Sequence, residues 1–377
     1  MRFRGTPINL NAVYTRLISG LRAGTHPWRE RRLHQELLGK WLTGKRADLR
    51  DLYTTWLENA VEVRCPVVLI SQVRRSVGTL ISQLFDGHPE CHAHPPEWHI
   101  AYSRKRVWPQ LDLKEDPEKW FKILFEPQVS RWFREGYCKK IAWKEVERFP
   151  FLFLPSLQRE IFLRFATRTK VTSQRDVFDA YMGSFFNAWL DNQNRYGPKK
   201  IVTAFATWLA MREENIERFF DVYPDGKLLS IVRDPQTWYV SVRQQRNRRW
   251  ENLEYALGMW KESAQSMLKY KERYRDRVCI LRFEDLLSRT EATMRFLARY
   301  LGIHFDNVLQ TPTFNKMPIR AHSSFAVDRH GVVLDPLSRH ELLTNMERDA
   351  INRLALGTYE QVVPHALRVE RQSPSGK

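Results

Sequence analysis

Two short apolar runs constrain this chain most, Pro66–Ser71 (PVVLIS) and Lys227–Val232 (KLLSIV). Neither alternates apolar with polar residues. A strand with one wet face does alternate, so a run that does not must be covered on both faces, as strands of a parallel sheet are. Lys200–Ala206 (KIVTAFA) and Val278–Phe283 (VCILRF) read the same way. Helical patterns lie between them. Thr79–Asp86 stops at Gly87, with Pro89 beyond. Asn215–Val222 puts Ile216, Phe219 and Phe220 on one face and ends at the turn Tyr223-Pro224-Asp225-Gly226. Ser288-Arg289-Thr290-Glu291 reads as a capping box for a helix carrying Met294, Leu297, Ala298 and Leu301, with Gly302 as its C-terminal cap. Strands alternating with helices predict an α/β fold of three layers, a central parallel sheet between helices.

The flanking segments read differently. Residues 1–60 are helical and basic, an N-terminal extension to a domain spanning 61–377. Residues 105–195 lack clear strands and are rich in aromatics, which predicts a helical insertion over the site. The formal net charge is +18, and the first fifty residues hold eleven Lys+Arg against three Asp+Glu, including Arg29, Arg31 and Arg32. Arg243, Arg246, Arg248 and Arg249 form a second group. Such charge suits an anionic substrate or a peripheral membrane contact through the N-terminus, or only solvated helix faces. No nucleic acid is expected, because zinc-finger spacing, RNP-like motifs and heptads are missing. Cys65, Cys91, Cys138 and Cys279 are scattered, without C-x-x-C spacing. No run of about 18 apolar residues suggests a membrane span, and the N-terminus lacks the apolar core of a signal peptide. The expectation is a soluble, cytoplasmic protein.

Ligands of open parallel sheets bind outside the carboxyl ends of the strands. Two segments sit there. Ser71-Gln-Val-Arg-Arg-Ser-Val-Gly-Thr79 joins a strand end to a helix start, where backbone N–H groups and the helix dipole favour an anion. Arg74 and Arg75 add charge, and Ser76 and Thr79 add hydroxyls. It is not a Walker A loop, because Gly78 stands where that motif needs lysine. The second segment, Arg233-Asp-Pro-Gln-Thr-Trp-Tyr-Val-Ser241, follows KLLSIV. Arg233 can fork onto a phosphate, and Ser241 falls about two helical turns later, on roughly the same side. The plainer alternative is that Asp234 caps a helix and Arg233 pairs with it. One ligand with two separated phosphate-like groups explains both segments.

At these residues the chain resembles the sulfotransferases that use 3′-phosphoadenosine-5′-phosphosulfate (PAPS). That family has a strand, a loop of the form R-S-G-[GST]-T-L, a helix and often D-x-H-P, and here the stretch is Arg75-Ser-Val-Gly-Thr-Leu through Asp86-Gly-His-Pro89. Arg233 and Ser241 match its later R-D-P element, and LRFEDLL at 281–287 its strand-plus-E-D-L segment. The LGI at 301–303, with PTFNKMPIRAHSSF at 312–325, looks like a bacterial-type branch. The resemblance covers roughly residues 64–330. Val77 departs from it, standing where the family usually has glycine. The resemblance implies a P-loop-NTPase-like sulfotransferase fold, PAPS as donor, PAP (adenosine 3′,5′-bisphosphate) as product and no metal. Arg74, Arg75, Ser76, Gly78, Thr79 and Leu80 would hold the 5′-phosphosulfate, with Arg75 the leading contact to the transferring group. Arg233 and Ser241 would hold the 3′-phosphate, with Arg320 and Ser323 as C-terminal contacts.

Sulfuryl transfer is an in-line displacement in which positioning and charge stabilisation dominate. An acceptor hydroxyl, on a glycan, glycolipid or small metabolite, needs a general base. The resemblance points to Glu97, in His94-Pro-Pro-Glu97-Trp98, with His92, His94 or His99 as alternatives and Glu90 read as solvated. His88, His92, His94 and His99 crowd one loop, but their spacing is irregular for a metal. Trp108, Trp132, Trp189 and Trp208 offer sugar stacking or, more simply, core. Two other classes compete: a nucleotide kinase or NTPase, and a non-catalytic polyanion-binding protein retaining the fold.

Overall fold

The computed structural model describes residues 27–100, 107–142, 144–168, 171–245, 247–321, 325 and 329–368. The chain divides into two units, 1–59 and 60–377. The described part of the first is helix α1 (Pro27–Glu58), which carries Arg29, Arg31 and Arg32 and is followed by Asn59, whose amide and side chain both donate to the Thr55 carbonyl. Among the described residues no helix is long and apolar enough to cross a membrane.

The second unit begins with β1 (Val67–Ile70), α2 (Gly78–Phe85) and β2 (Cys91–Glu97). Helices α3 (Pro117–Leu124) and α4 (Gln128–Glu135) follow, then strands β3 (Tyr137–Ile141) and β4 (Lys144–Phe149), then α5 (Pro155–Arg168) and α6 (Gln174–Ala188). The chain returns through β5 (Ile201–Phe205), α7 (Glu213–Val222), β6 (Lys227–Val232), α8 (Pro235–Arg243) and α9 (Leu253–Tyr274). It continues through β7 (Val278–Arg282), α10 (Phe283–Ser288) and α11 (Thr290–Leu301).

The sheet order is β2-β5-β1-β6-β7, and every pairing is parallel. All four residues of β1 are at most 1% exposed, so both of its faces are covered, as its unalternating sequence requires. Successive side chains serve opposite layers. Leu229, Ile231, Cys279 and Leu281 pack with Ile81, Leu84, Met294 and Leu297, while Val232 and Ile280 pack with Trp238, Leu257, Trp260 and Met267. Each such aliphatic side chain contributes about 1.5–3 kcal/mol by leaving water. The result is the three-layer α/β arrangement.

Three local readings need correction. Residues 91–97 form the edge strand β2 rather than a loop, with its register breaking between Ala93 and Glu97. Pro95 and Pro96 fall at that break on a sheet edge, where a missing N–H is tolerated. The 105–195 stretch holds four helices but also the antiparallel ribbon β3–β4, whose charged sequences (YCKKI and KEVERF) carry no β-branched run. The capping box at Ser288 is not formed. Ser288 is already the last residue of α10 and donates to the Glu284 carbonyl, so α11 starts from Arg289 without a side-chain cap. Gly302 does close α11, at φ 70°.

Candidate active site

The carboxyl ends of the five strands open into one cleft of about 290 Å³. The loop after β1 forms its floor and is fixed from below. The Ser71 hydroxyl donates to the Ala206 carbonyl (2.7 Å) and accepts from the Ala210 amide (2.9 Å). The Val73 amide donates to the Ser263 hydroxyl (3.0 Å), and the Trp238 indole N–H donates to the Arg74 carbonyl (2.8 Å). Arg75 and Val77 both have positive φ, 66° and 54°. A β-branched residue in that region costs roughly 1–2 kcal/mol, so the loop holds strain at Val77. Gly78 is dictated by space, since a Cβ there would lie 2.0 Å from the Phe205 ring.

Arg75, Ser76, Gly78, Thr79 and Leu80 all line the cleft. The Ser76 hydroxyl and Arg75 Nε are buried without a hydrogen-bond partner among the described residues. Arg74 also lines the cleft, but its guanidinium donates to Gln245 (2.7 Å) and lies 5.2 and 5.6 Å from the Trp208 and Trp250 rings.

Arg233, at the end of β6, is only 3% exposed. Its Nε donates to Thr237 Oγ1 (3.1 Å), Nη1 to the Arg75 carbonyl (2.9 Å) and Nη2 to the Pro336 carbonyl (3.5 Å). The guanidinium lies 4.0 Å from the Phe283 ring centroid. Asp234 caps α8 by accepting from the Thr237 amide, and it does not pair with Arg233. Arg233 thus joins the two anion-binding segments through Arg75.

A third arginine completes the group, and sequence reasoning missed it. Arg339 lines the cleft and donates to the Ser241 hydroxyl (3.2 Å). Its sequence, LSRHEL, carries no motif signal. Ser241 is fully buried, donates to the Thr237 carbonyl and steadies Arg339 rather than lining the cleft. Burial depresses all three guanidinia. Arg75 falls to about 10, with Arg339 and Arg74 adding repulsion, and Arg339 falls to about 10. Arg233 falls well below the usual arginine range, through burial and then the Arg339 charge. Their clustered charges repel, and an anion between them relieves that repulsion.

Arg320 lies outside the cleft lining, where its Nε pairs with Glu147 (3.2 Å). Ser323 and Arg246 fall outside the described residues. Glu97, at the end of β2, lines the cleft, and among the described residues its carboxylate makes no hydrogen bond or ion pair. The histidines lie elsewhere. His92 stacks on Phe186 (4.4 Å), and burial drives it down to about 3. His94 bonds Glu126 (3.0 Å), whose other oxygen accepts from the His99 amide. His88 bonds the His304 carbonyl, and Glu90 is held by Lys200 and His304 rather than solvated. Among the described residues no three His, Cys, Asp or Glu side chains gather for a metal. Trp108, Trp132, Trp189 and Trp208 are buried in the core.

No curated protein matches this chain. The solved sulfotransferase domain from the curacin biosynthetic pathway is 15% identical, with a TM-score of 0.41 over 82% of this chain and 95% of that one. The sulfotransferase domain from the Synechococcus PCC 7002 olefin synthase is 16% identical, with a TM-score of 0.44 over 82% and 98%. Retinol dehydratase in complex with androsterone and inactive cofactor PAP is 12% identical, with a TM-score of 0.32 over 85% and 88%. The family model described as "Sulfotransferase family" matches residues 66–307, well over half the sequence, and the chain belongs to that family.

Proposed function

We propose that this sulfotransferase takes its sulfuryl group from PAPS and moves it to an acceptor hydroxyl. The observation that carries the reading is Arg233. It is a buried guanidinium bonded, among the described residues, only to neutral oxygens, and it shares one cleft with the loop after β1. A nucleotide with separate 3′ and 5′ anions fits two such anchors. The loop, through Arg75, Ser76, Gly78, Thr79 and Leu80, takes the phosphosulfate, and Arg233 with Arg339 takes the 3′-phosphate. The orphaned Ser76 hydroxyl and Arg75 Nε are donors suited to the 5′ end.

In the transfer, the acceptor oxygen forms a bond to sulfur as the bond from sulfur to the 5′-phosphate oxygen breaks. The bonding pair leaves with PAP, and Arg75 offsets the charge that develops there. The acceptor proton passes to the Glu97 carboxylate, which lines the same cleft. The acceptor is a glycan, glycolipid or small metabolite. Thermal denaturation tests the donor. PAP is expected to raise the melting temperature strongly and ATP weakly. Equal stabilisation by ATP, or none by either, refutes the reading.

A further inference from the structure

Lys139 is the most unusual side chain outside the machinery described so far. It sits in the middle of β3 and is 1% exposed, and among the described residues its ammonium has no hydrogen-bond partner and no ion pair. A buried ammonium without a partner is destabilising, and methionine would fill the same space. Nothing in the folding of a two-stranded ribbon calls for lysine here.

Its neighbours place it beside the donor cleft. Tyr137, two residues earlier, shares its face of the strand, stacks on Phe314 (4.2 Å) and has its hydroxyl close to the Gln83 side chain of α2. Gln83 lies one helical turn beyond Thr79, which lines the cleft. Opposite Lys139 on β4 is Glu147, which accepts from the Arg320 amide and pairs with Arg320 and His330. Ala321 and Gly331, the next residues along from those two, line the cleft. Lys139 is not itself in the cleft lining; it lies behind the wall to which Thr79, Ala321 and Gly331 belong, within reach of the Arg75 charge. Glu147 is already engaged by Arg320 and His330. Burial, with the Arg75 charge adding to it and Glu147 only partly offsetting it, lowers the ammonium to about 7.

We propose, building on the donor reading above, that Lys139 is an additional clamp on the anionic 5′ end of the donor, delivered by the β3–β4 ribbon. Its charge is held without a partner in the protein because the phosphosulfate supplies one.

The test is calorimetric binding of PAP and of PAPS to wild type, Lys139→Met and Lys139→Gln, alongside melting curves of the free proteins. If wild type binds neither nucleotide, the donor reading itself fails, and Lys139 falls with it. Given wild-type binding, both variants are expected to melt at or above the wild-type temperature. Their affinity for PAP, for PAPS or for both is expected to drop at least tenfold. Loss with both nucleotides assigns the contact to the 5′-phosphate, and loss with PAPS alone assigns it to the sulfuryl group. Binding of both within twofold of wild type overturns the proposal. So does failure of both variants to fold, because the ammonium would then be supporting the structure.

Discussion

Replacing Arg233 with methionine separates the anion contact from the packing. The side chain keeps most of its volume against Phe283 but loses its charge. Hydrogen bonds to a charged group contribute about 1.5–3 kcal/mol each, and a forked guanidinium offers two to a phosphate. With Arg339 remaining nearby, a loss of about 3 kcal/mol is expected, which is roughly 150-fold in affinity for PAP. The free protein responds differently. It loses a buried charge repelled by Arg339 and Arg75, but the Arg75 carbonyl loses its donor, at a cost of about 1–3 kcal/mol. These effects oppose, so the melting temperature should move by only a few degrees. Calorimetry with PAP and with adenosine 5′-monophosphate reads the result. The bisphosphate is expected to lose about two orders of magnitude and the monophosphate less than threefold. Equal losses for both ligands, or none, would refute the assignment of Arg233 to the 3′-phosphate.

Three further outcomes are expected. Glu97→Gln should lower kcat by about 100-fold or more while PAP affinity stays within twofold, and normal turnover removes Glu97 from the base role. Gly78→Ala forces a Cβ into the Phe205 ring, so it should cost about 1–3 kcal/mol of stability in urea denaturation and weaken PAP binding at least tenfold; unchanged values for both contradict the close approach. His92 is held neutral by burial, so its folded value of about 3 lies below its ordinary 6.5. Its contribution is therefore complete above pH 6.5 and is lost as pH falls from there toward 3. Between pH 7 and 5 the loss is about 2 kcal/mol, and His92→Leu should remove that part of the pH dependence; an unchanged slope in urea melts shows that His92 does not drive it.

The buried strands were legible because full burial demands apolar, unalternating sequence, and β1 and β6 meet that demand. The loop after β1 was legible because strand, polar loop and helix follow one another directly. Strand β2 was not, because an edge strand tolerates the Pro95-Pro96 break that sequence rules assign to loops. The ribbon β3–β4 was hidden for a related reason. Its exposed face is charged, and Lys139, its most buried charged residue, looks like a surface lysine in sequence. Arg339 reaches the cleft from a segment about one hundred residues beyond Arg233, and only tertiary structure joins them. Arg320 carried a motif-like position, yet Glu147 on the ribbon takes its charge. Val77 adopts the left-handed backbone that glycine adopts freely, so the departure from the family pattern leaves the loop conformation in place with added strain.

A crystal structure of the protein with PAP tests the central claim most directly. The account predicts the 3′-phosphate within hydrogen-bond distance of the Arg233 guanidinium and the 5′-phosphate against the backbone N–H groups of residues 75–79. A nucleotide bound outside the cleft, or with its two phosphates exchanged between these anchors, would contradict it.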